Sequence, residues 1–116
     1  MADATDQTFD ADVIERSRQL PVVVDFWAEW CGPCRQLGPV LEQAVAATDG
    51  AVELVKVDVD AEQELAGRYG IQSIPTVVVF RDGKPVSGFV GAHAAATIGG
   101  FLDEAIETHG EVADSA

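Results

Sequence analysis

A β-branched and aromatic run, PVVVDFWA at 21–28, leads almost directly into the motif WCGPC at 30–34. Such a run is typical of a strand that is buried on both faces. Residues 33–48 then have the apolar spacing of an amphipathic helix, and Pro33 suits its first turn because an N–H there has no helical partner. The two cysteines are therefore predicted to lie where a buried strand gives way to a helix.

The rest of the pattern predicts an α/β domain. The other predicted elements are an extended piece near Gln7–Phe9, a helix from Asp10 or Asp12 through Gln19, a strand at 52–59, a short helix capped by Asp60, strands at 76–80 and 85–91, and a last helix bearing Ile98 to Ile106. The Asp82-Gly83 pair between the last two strands predicts an antiparallel hairpin. The order β-α-β-α-β-α-β-β-α predicts a central mixed sheet of about five strands, flanked by four helices.

Size and charge limit what this domain can be. A length of 116 residues with 47% hydrophobic residues suits one domain over 1–116, with frayed ends at about 1–6 and 109–116. The formal net charge of −13 repels nucleic acid phosphates and anionic lipid, so neither is an expected partner. Since the acidic start carries no base and no apolar run approaches a membrane span, we expect a cytoplasmic protein without a signal peptide.

The cysteine pair predicts redox chemistry. Cys31 is placed at the start of a helix, where free N–H groups and the helix dipole favour a thiolate, the species that attacks disulfides. Cys34 follows three residues later on the same face, at a separation that lets the two form a disulfide with little backbone movement. We expect Cys34 to be the more buried and to act as the resolving thiol. Two histidines at spacings that fit no zinc site leave no predicted metal.

Two charged residues fall inside predicted strands. Asp25 interrupts an apolar run, so burial should raise the pKa of its carboxyl and suit it to act as general base for Cys34. The alternative is an acid at the strand end that reaches solvent or caps a turn. Lys56 either pairs with Asp25 or extends its ammonium outward to solvent. Pro75 must open its strand or occupy a turn, and a cis Ile74-Pro75 bond is the sharper hypothesis.

With WCGPC after VVVDFWA, and GIQSIPT before a valine-rich strand, the chain closely resembles the thioredoxin family over roughly 7–108. The resemblance implies a thioredoxin fold in which Cys31 attacks, Cys34 resolves, Asp25 is the buried acid and Lys56 is its neighbour. It also implies that Pro75 is cis and faces the cysteines. The implied substrate surface consists of Trp30, Gly32, Pro33, Ile74, Pro75, Val90, Gly91 and Ala92.

The resemblance further implies a general protein-disulfide reductase that needs no bound cofactor. Electrons would come from NADPH through a separate thioredoxin reductase. They would pass to disulfide-containing clients of the ribonucleotide reductase, peroxiredoxin or methionine sulfoxide reductase type, with the chain acting as a monomer. Ser73 and the Gly99-Gly100 pair depart from the usual family pattern.

Two other functions compete with this interpretation. An exported oxidase or isomerase would use the same cysteines in the opposite direction, but such proteins usually carry histidine where Pro33 stands, and a histidine cation would stabilise the thiolate. A binding or assembly module would use the fold as a scaffold, which is the usual outcome when the cysteines are lost. Both cysteines are present here.

Overall fold

The run at 21–28 forms the central strand of a five-stranded sheet. The computed structural model describes residues 2–115, and the side chains of 3–107. Its strands are β1 (Ala2–Asp3), β2 (Val22–Trp27), β3 (Glu53–Asp58), β4 (Thr76–Arg81) and β5 (Lys84–Val90). They lie in the order β1-β3-β2-β4-β5, with β1, β3 and β2 parallel and with β4 and β5 antiparallel to their neighbours. The mixed sheet is confirmed, although four strands have six or seven residues and β1 has only two.

Helices cover both faces of this sheet. The described helices are an N-terminal helical segment (Asp10–Glu15, wound as a π-helix, then Arg16–Arg18 as 3₁₀), α1 (Gly32–Ala46), α2 (Gln63–Arg68) and α3 (Ala95–Ser115). The N-terminal helical segment and α2 pack on one face, where Val13 and Leu65 meet Phe26 and Phe80. On the other face, α1 and α3 pack against Val23 and its neighbours in the sheet. The predicted element order and helix count are confirmed.

Alternation along β2 decides which face each side chain reaches. Val22, Val24 and Phe26 belong to the core under α2, whereas Val23 belongs to the core under α1. Since successive side chains of a strand point to opposite faces, Asp25 lies on the α1 side, as Val23 does. The strand therefore places one carboxylate under the helix that carries the cysteines.

The N-terminus differs from its prediction in two ways. The strand lies at Ala2–Asp3 instead of near Gln7–Phe9, because Thr5 and Thr8 hydrogen-bond each other and close a turn that leads into the helical segment. Residues 2–6 are also not a frayed end, since β1 pairs with β3 and Ala4 is buried. At the other end, α3 continues through Ser115, within the range where fraying was expected. Met1 and Ala116 lie outside the described residues.

The predicted hairpin is confirmed, with an added anchor. Asp82 and Gly83 both have positive φ, 54° and 80°, as a tight two-residue hairpin turn requires. The fully buried Ser17 holds this turn against the N-terminal helical segment: its carbonyl accepts from the Asp82 N–H, and its hydroxyl accepts from the Gly83 N–H. The hairpin thereby fixes β5, and with it the loop that follows Val90.

Candidate functional site

The start of α1 positions the two cysteines as the sequence predicts. Cys31 is the N-cap residue and has extended backbone angles, Pro33 lies in the first turn, and Cys34 follows on the same side. The two residues form a disulfide with a Cα–Cα distance of 5.3 Å. The Cys34 N–H also points at the Cys31 sulfur, 3.2 Å away. A helix N-terminus thus directs a backbone donor at the sulfur that would carry negative charge after reduction.

Burial does not distinguish the two cysteines. Cys31 is 4% exposed and Cys34 is 3% exposed, so Cys34 is the more buried, as expected, but by a negligible margin. Their places in the helix do differ, because Cys31 is the N-cap residue and its sulfur accepts from the Cys34 N–H, whereas Cys34 lies within the first turn of α1. The Cys31 sulfur is thus the one at the helix N-terminus.

Asp25 is a buried carboxylate without a hydrogen-bond partner at one oxygen. Its side chain is 1% exposed, and no described group hydrogen-bonds Oδ1. Burial away from water raises the pKa of Asp25 to about 6; the positive charge of Lys56 lowers this pKa and the negative charge of Glu42 raises it. An acid with a pKa near neutral can both take and return a proton at cellular pH.

Lys56 is the direct neighbour of Asp25 across the parallel β2–β3 pair. Its ammonium lies over the ring of Trp27, with Nζ 4.1 Å from the ring centroid. This cation–π contact holds the charge beside Asp25 without a direct ion pair between the two in the described chain. Lys56 is half-buried, so it matches neither of the two predicted alternatives: it forms no direct ion pair with Asp25 and does not extend fully into solvent.

The Ile74-Pro75 bond is cis, which confirms the sharper hypothesis. The Ile74 carbonyl oxygen lies 3.9 Å from the Cys31 sulfur, and the Pro75 carbonyl accepts from the Gly91 N–H at 2.8 Å. These contacts bring two of the predicted surface segments, 74–75 and 90–92, next to the cysteines. Trp30, at 70% exposed, and Val90, at 57%, are the two large apolar side chains left open there.

Asp60 is a site residue that sequence reasoning missed. Its Oδ2 accepts a hydrogen bond from the Trp30 indole N–H at 2.6 Å, so it does not cap α2 as predicted. The carboxyl ends of parallel strands meet at one edge of a sheet, and Trp27 is paired with Asp58 there. An acidic residue just after β3 is therefore a signal that could have placed Asp60 beside the tryptophan that follows β2.

Within the side chains of 3–107, no three His, Cys, Asp or Glu groups are placed to hold a metal ion. None of the helices over the same range is long and apolar enough to cross a bilayer. A reversible disulfide at a helix start, a buried acid beneath it and an apolar rim define a thiol–disulfide oxidoreductase.

Comparison with known proteins identifies the family. The thioredoxin family model matches residues 1–104. Thioredoxin 1 of Synechococcus elongatus is 45% identical over 103 residues, 89% of this chain and 94% of that protein. Thioredoxins of Streptomyces clavuligerus and Bacillus subtilis are 46% and 48% identical, over 84% and 76% of this chain and 89% and 81% of their own. The chain belongs to the thioredoxin family and is a protein-disulfide oxidoreductase of the reductase type.

Proposed function

We propose that Cys31 is the attacking residue and Cys34 the resolving one in the reduction of client disulfides. The Cys31 thiolate attacks one client sulfur, forms a mixed disulfide and releases the other client sulfur as a thiolate. Cys34 then gives up its proton, and its thiolate attacks the Cys31 sulfur. This step releases the second client thiolate and leaves the Cys31–Cys34 disulfide. The observation that supports this order is that Cys31 is the helix N-cap residue and that its sulfur accepts from the Cys34 N–H.

In this proposal, Asp25 takes the proton of Cys34, and Lys56 stabilises the ionised form of Asp25 before the transfer. Asp25 lies on the α1 side of β2, and its pKa of about 6 suits proton exchange near neutral pH. The adjacent Lys56 ammonium stabilises the ionised carboxylate, which otherwise has an oxygen without a partner. Asp25 is therefore a catalytic base, and Lys56 is a positioning residue beside it.

The surface around the disulfide binds an extended client segment over its apolar rim. The eight residues assigned to this surface are Trp30, Gly32, Pro33, Ile74, Pro75, Val90, Gly91 and Ala92. We infer that thioredoxin reductase, using NADPH, returns the electrons, so that the chain carries them without a bound cofactor. Ribonucleotide reductase, peroxiredoxin and methionine sulfoxide reductase types are the proposed clients, and the cytoplasm is the proposed compartment, with the chain acting as a monomer.

Two cysteine variants test the order of attack. With insulin as the client and dithiothreitol as the reductant, Cys31→Ser should lose catalysed reduction entirely, because no thiolate remains at the helix N-terminus. Cys34→Ser, reduced beforehand and then freed of dithiothreitol, should instead accumulate a mixed disulfide with insulin through Cys31, visible as a covalent adduct by mass spectrometry. A Cys31→Ser protein that still reduced insulin at the normal rate would refute the assignment.

A pair of valines on β5 tests the client surface. Val90→Asp should raise KM for a protein client about tenfold with little change in kcat, because docking would bury a carboxylate without a partner. Val86 is the matched control, since it is 49% exposed on the same strand but is not part of the assigned surface. Equal effects of Val90→Asp and Val86→Asp would remove the 90–92 segment from the client surface.

A further inference from the structure

Gly38 leaves an open position between two opposite charges next to the buried acid. It is a buried residue of α1, one turn after Cys34. A Cβ at this position would lie 3.9 Å from the Glu42 Oε2 atom and 3.9 Å from the Lys56 Nζ atom. The carboxylate of α1 and the ammonium of β3 therefore converge on the same point, above the stretch of sheet that contains Asp25.

The surroundings of Asp25 leave few groups that could influence its charge. The β3 strand contributes Lys56 directly beside it, and the β4 residue paired with it is Val77, which cannot ionise. The α1 helix contributes Cys34, held in the disulfide, and Glu42, two turns further along. Among the described side chains, Lys56 and Glu42 are thus the charged pair that acts on this carboxyl.

We propose that Glu42 is a positioning residue for Asp25: across the space left by Gly38, it attracts the Lys56 ammonium and repels a second negative charge, so that Asp25 retains its proton. Both effects act in the same direction, because a more distant ammonium and a nearby carboxylate each disfavour an ionised Asp25. The cation–π contact with Trp27 keeps Lys56 within reach of both carboxylates. This inference rests on the proposed role of Asp25 as the base for Cys34.

The Asp25 titration in the oxidised protein tests the proposal without any client. The side-chain carboxyl carbon of Asp25 is followed by NMR against pH and assigned by its absence in Asp25→Asn. Glu42→Gln should lower the pKa of Asp25 by about 0.5 or more, since it removes a nearby negative charge. Glu64→Gln is the matched control: Glu64 is an exposed carboxylate on α2, across the sheet, and its removal should leave the Asp25 pKa unchanged.

A second comparison tests the part played by Lys56. Lys56→Met should raise the Asp25 pKa, and Glu42→Gln should then have a smaller effect in that background than alone. A Glu42→Gln protein whose Asp25 pKa is unchanged, or higher, would overturn the proposal. An equal effect in both backgrounds would overturn the role of Lys56.

Insulin reduction by the same variants separates this inference from the proposed function. If Asp25→Asn reduced insulin at the normal rate, the role of Asp25 as base would fail, whereas the NMR result for Glu42 would still stand. In activity measurements, Glu42→Gln should shift the pH profile of insulin reduction toward lower pH, a change that loss of helix stability alone would not cause.

Discussion

A single buried carboxylate links the stability of this chain to its proposed chemistry. Asp25 is almost inaccessible to water, yet one of its oxygens has no hydrogen-bond partner among the residues that the structure describes. Ionising such a group inside an apolar core costs free energy, and the raised pKa measures that cost. In the proposed function, this destabilising group accepts the proton of Cys34, which the helix above it carries.

Replacing Asp25 should therefore stabilise the protein in a pH-dependent manner. The pKa is 3.8 in the unfolded reference and about 6 in the folded chain. The folded state thus binds the Asp25 proton more tightly, so the contribution of Asp25 to the free energy of unfolding falls as pH rises from about 4 to about 6. Relative to wild type, Asp25→Asn should gain about 2–3 kcal/mol between pH 4 and pH 7, measured by urea unfolding of the oxidised protein.

The test is how the difference in the free energy of unfolding between Asp25→Asn and wild type changes with pH. A constant difference between Asp25→Asn and wild type from pH 4 to pH 7 would show that the Asp25 carboxyl titrates normally. In that case neither its burial nor its assignment as base could stand. An exposed acid, Asp103→Asn on α3, serves as the control and should show no such trend.

At the scale of elements, α2 is capped by a distant part of the chain. Its N-cap residue, Glu62, makes no side-chain capping bond of its own. Instead, the Asp6 carboxylate accepts from the Leu65 N–H at 3.1 Å, and the Glu62 carboxylate accepts from the Asp6 N–H at 2.9 Å. This is the reciprocal pattern of a capping box, formed between segments almost 60 residues apart. It ties the N-terminus to the helix that follows the Asp60 loop.

Asp6→Ala should accordingly destabilise the fold by about 0.5–2 kcal/mol, the usual cost of a lost N-cap. Asp10→Ala is the matched control, because it removes the same charge but only an exposed ion pair to Arg68. Thermal unfolding should show a larger loss for Asp6→Ala. Equal losses for the two variants would mean that the capping bonds contribute nothing.

Glycines in α3 and β5 should respond oppositely to alanine. A Cβ on Gly99 would meet nothing within 4 Å, so Gly99→Ala should stabilise α3 by about 0.5–1 kcal/mol. A Cβ on Gly88 would lie 2.7 Å from the Val77 carbonyl oxygen, so Gly88→Ala must displace β5 from β4 and should destabilise the protein. Urea unfolding of the two variants distinguishes them, and a destabilised Gly99→Ala would contradict the open space seen beside α3.

The elements that sequence could predict are those set by local patterns. Alternation and apolar spacing determine β2, α1 and the β4–β5 hairpin, and the cysteine pair follows from its place between strand and helix. Contacts between distant segments escaped prediction: β1 pairs with β3, Asp6 caps α2, and Asp60 binds Trp30. The first two contacts depend on the arrangement of distant segments, which no local pattern encodes. The acidic residue after β3 could have placed Asp60 only once β2 and β3 were known to be neighbours.

For the whole molecule, the central claim concerns the direction of electron flow through Cys31 and Cys34. A reductase needs a disulfide with a lower reduction potential than the thiol pool around it. Pro33, between the cysteines, supplies no cation that would stabilise the reduced form and raise this potential. The helix N-terminus favours the thiolate only through backbone dipoles. The redox potential of the Cys31–Cys34 pair depends on all of these effects together.

The measurement that tests this claim most directly is the equilibrium of the Cys31–Cys34 disulfide with glutathione and dithiothreitol buffers, read by tryptophan fluorescence. Trp30 lies next to Cys31 in the chain, so its emission should report the redox state. We expect a potential more reducing than the cytosolic glutathione pool, which lies at about −220 to −260 mV by biochemical extraction. A potential above that pool would mean that the chain accepts electrons, and it would contradict the assignment as a reductase.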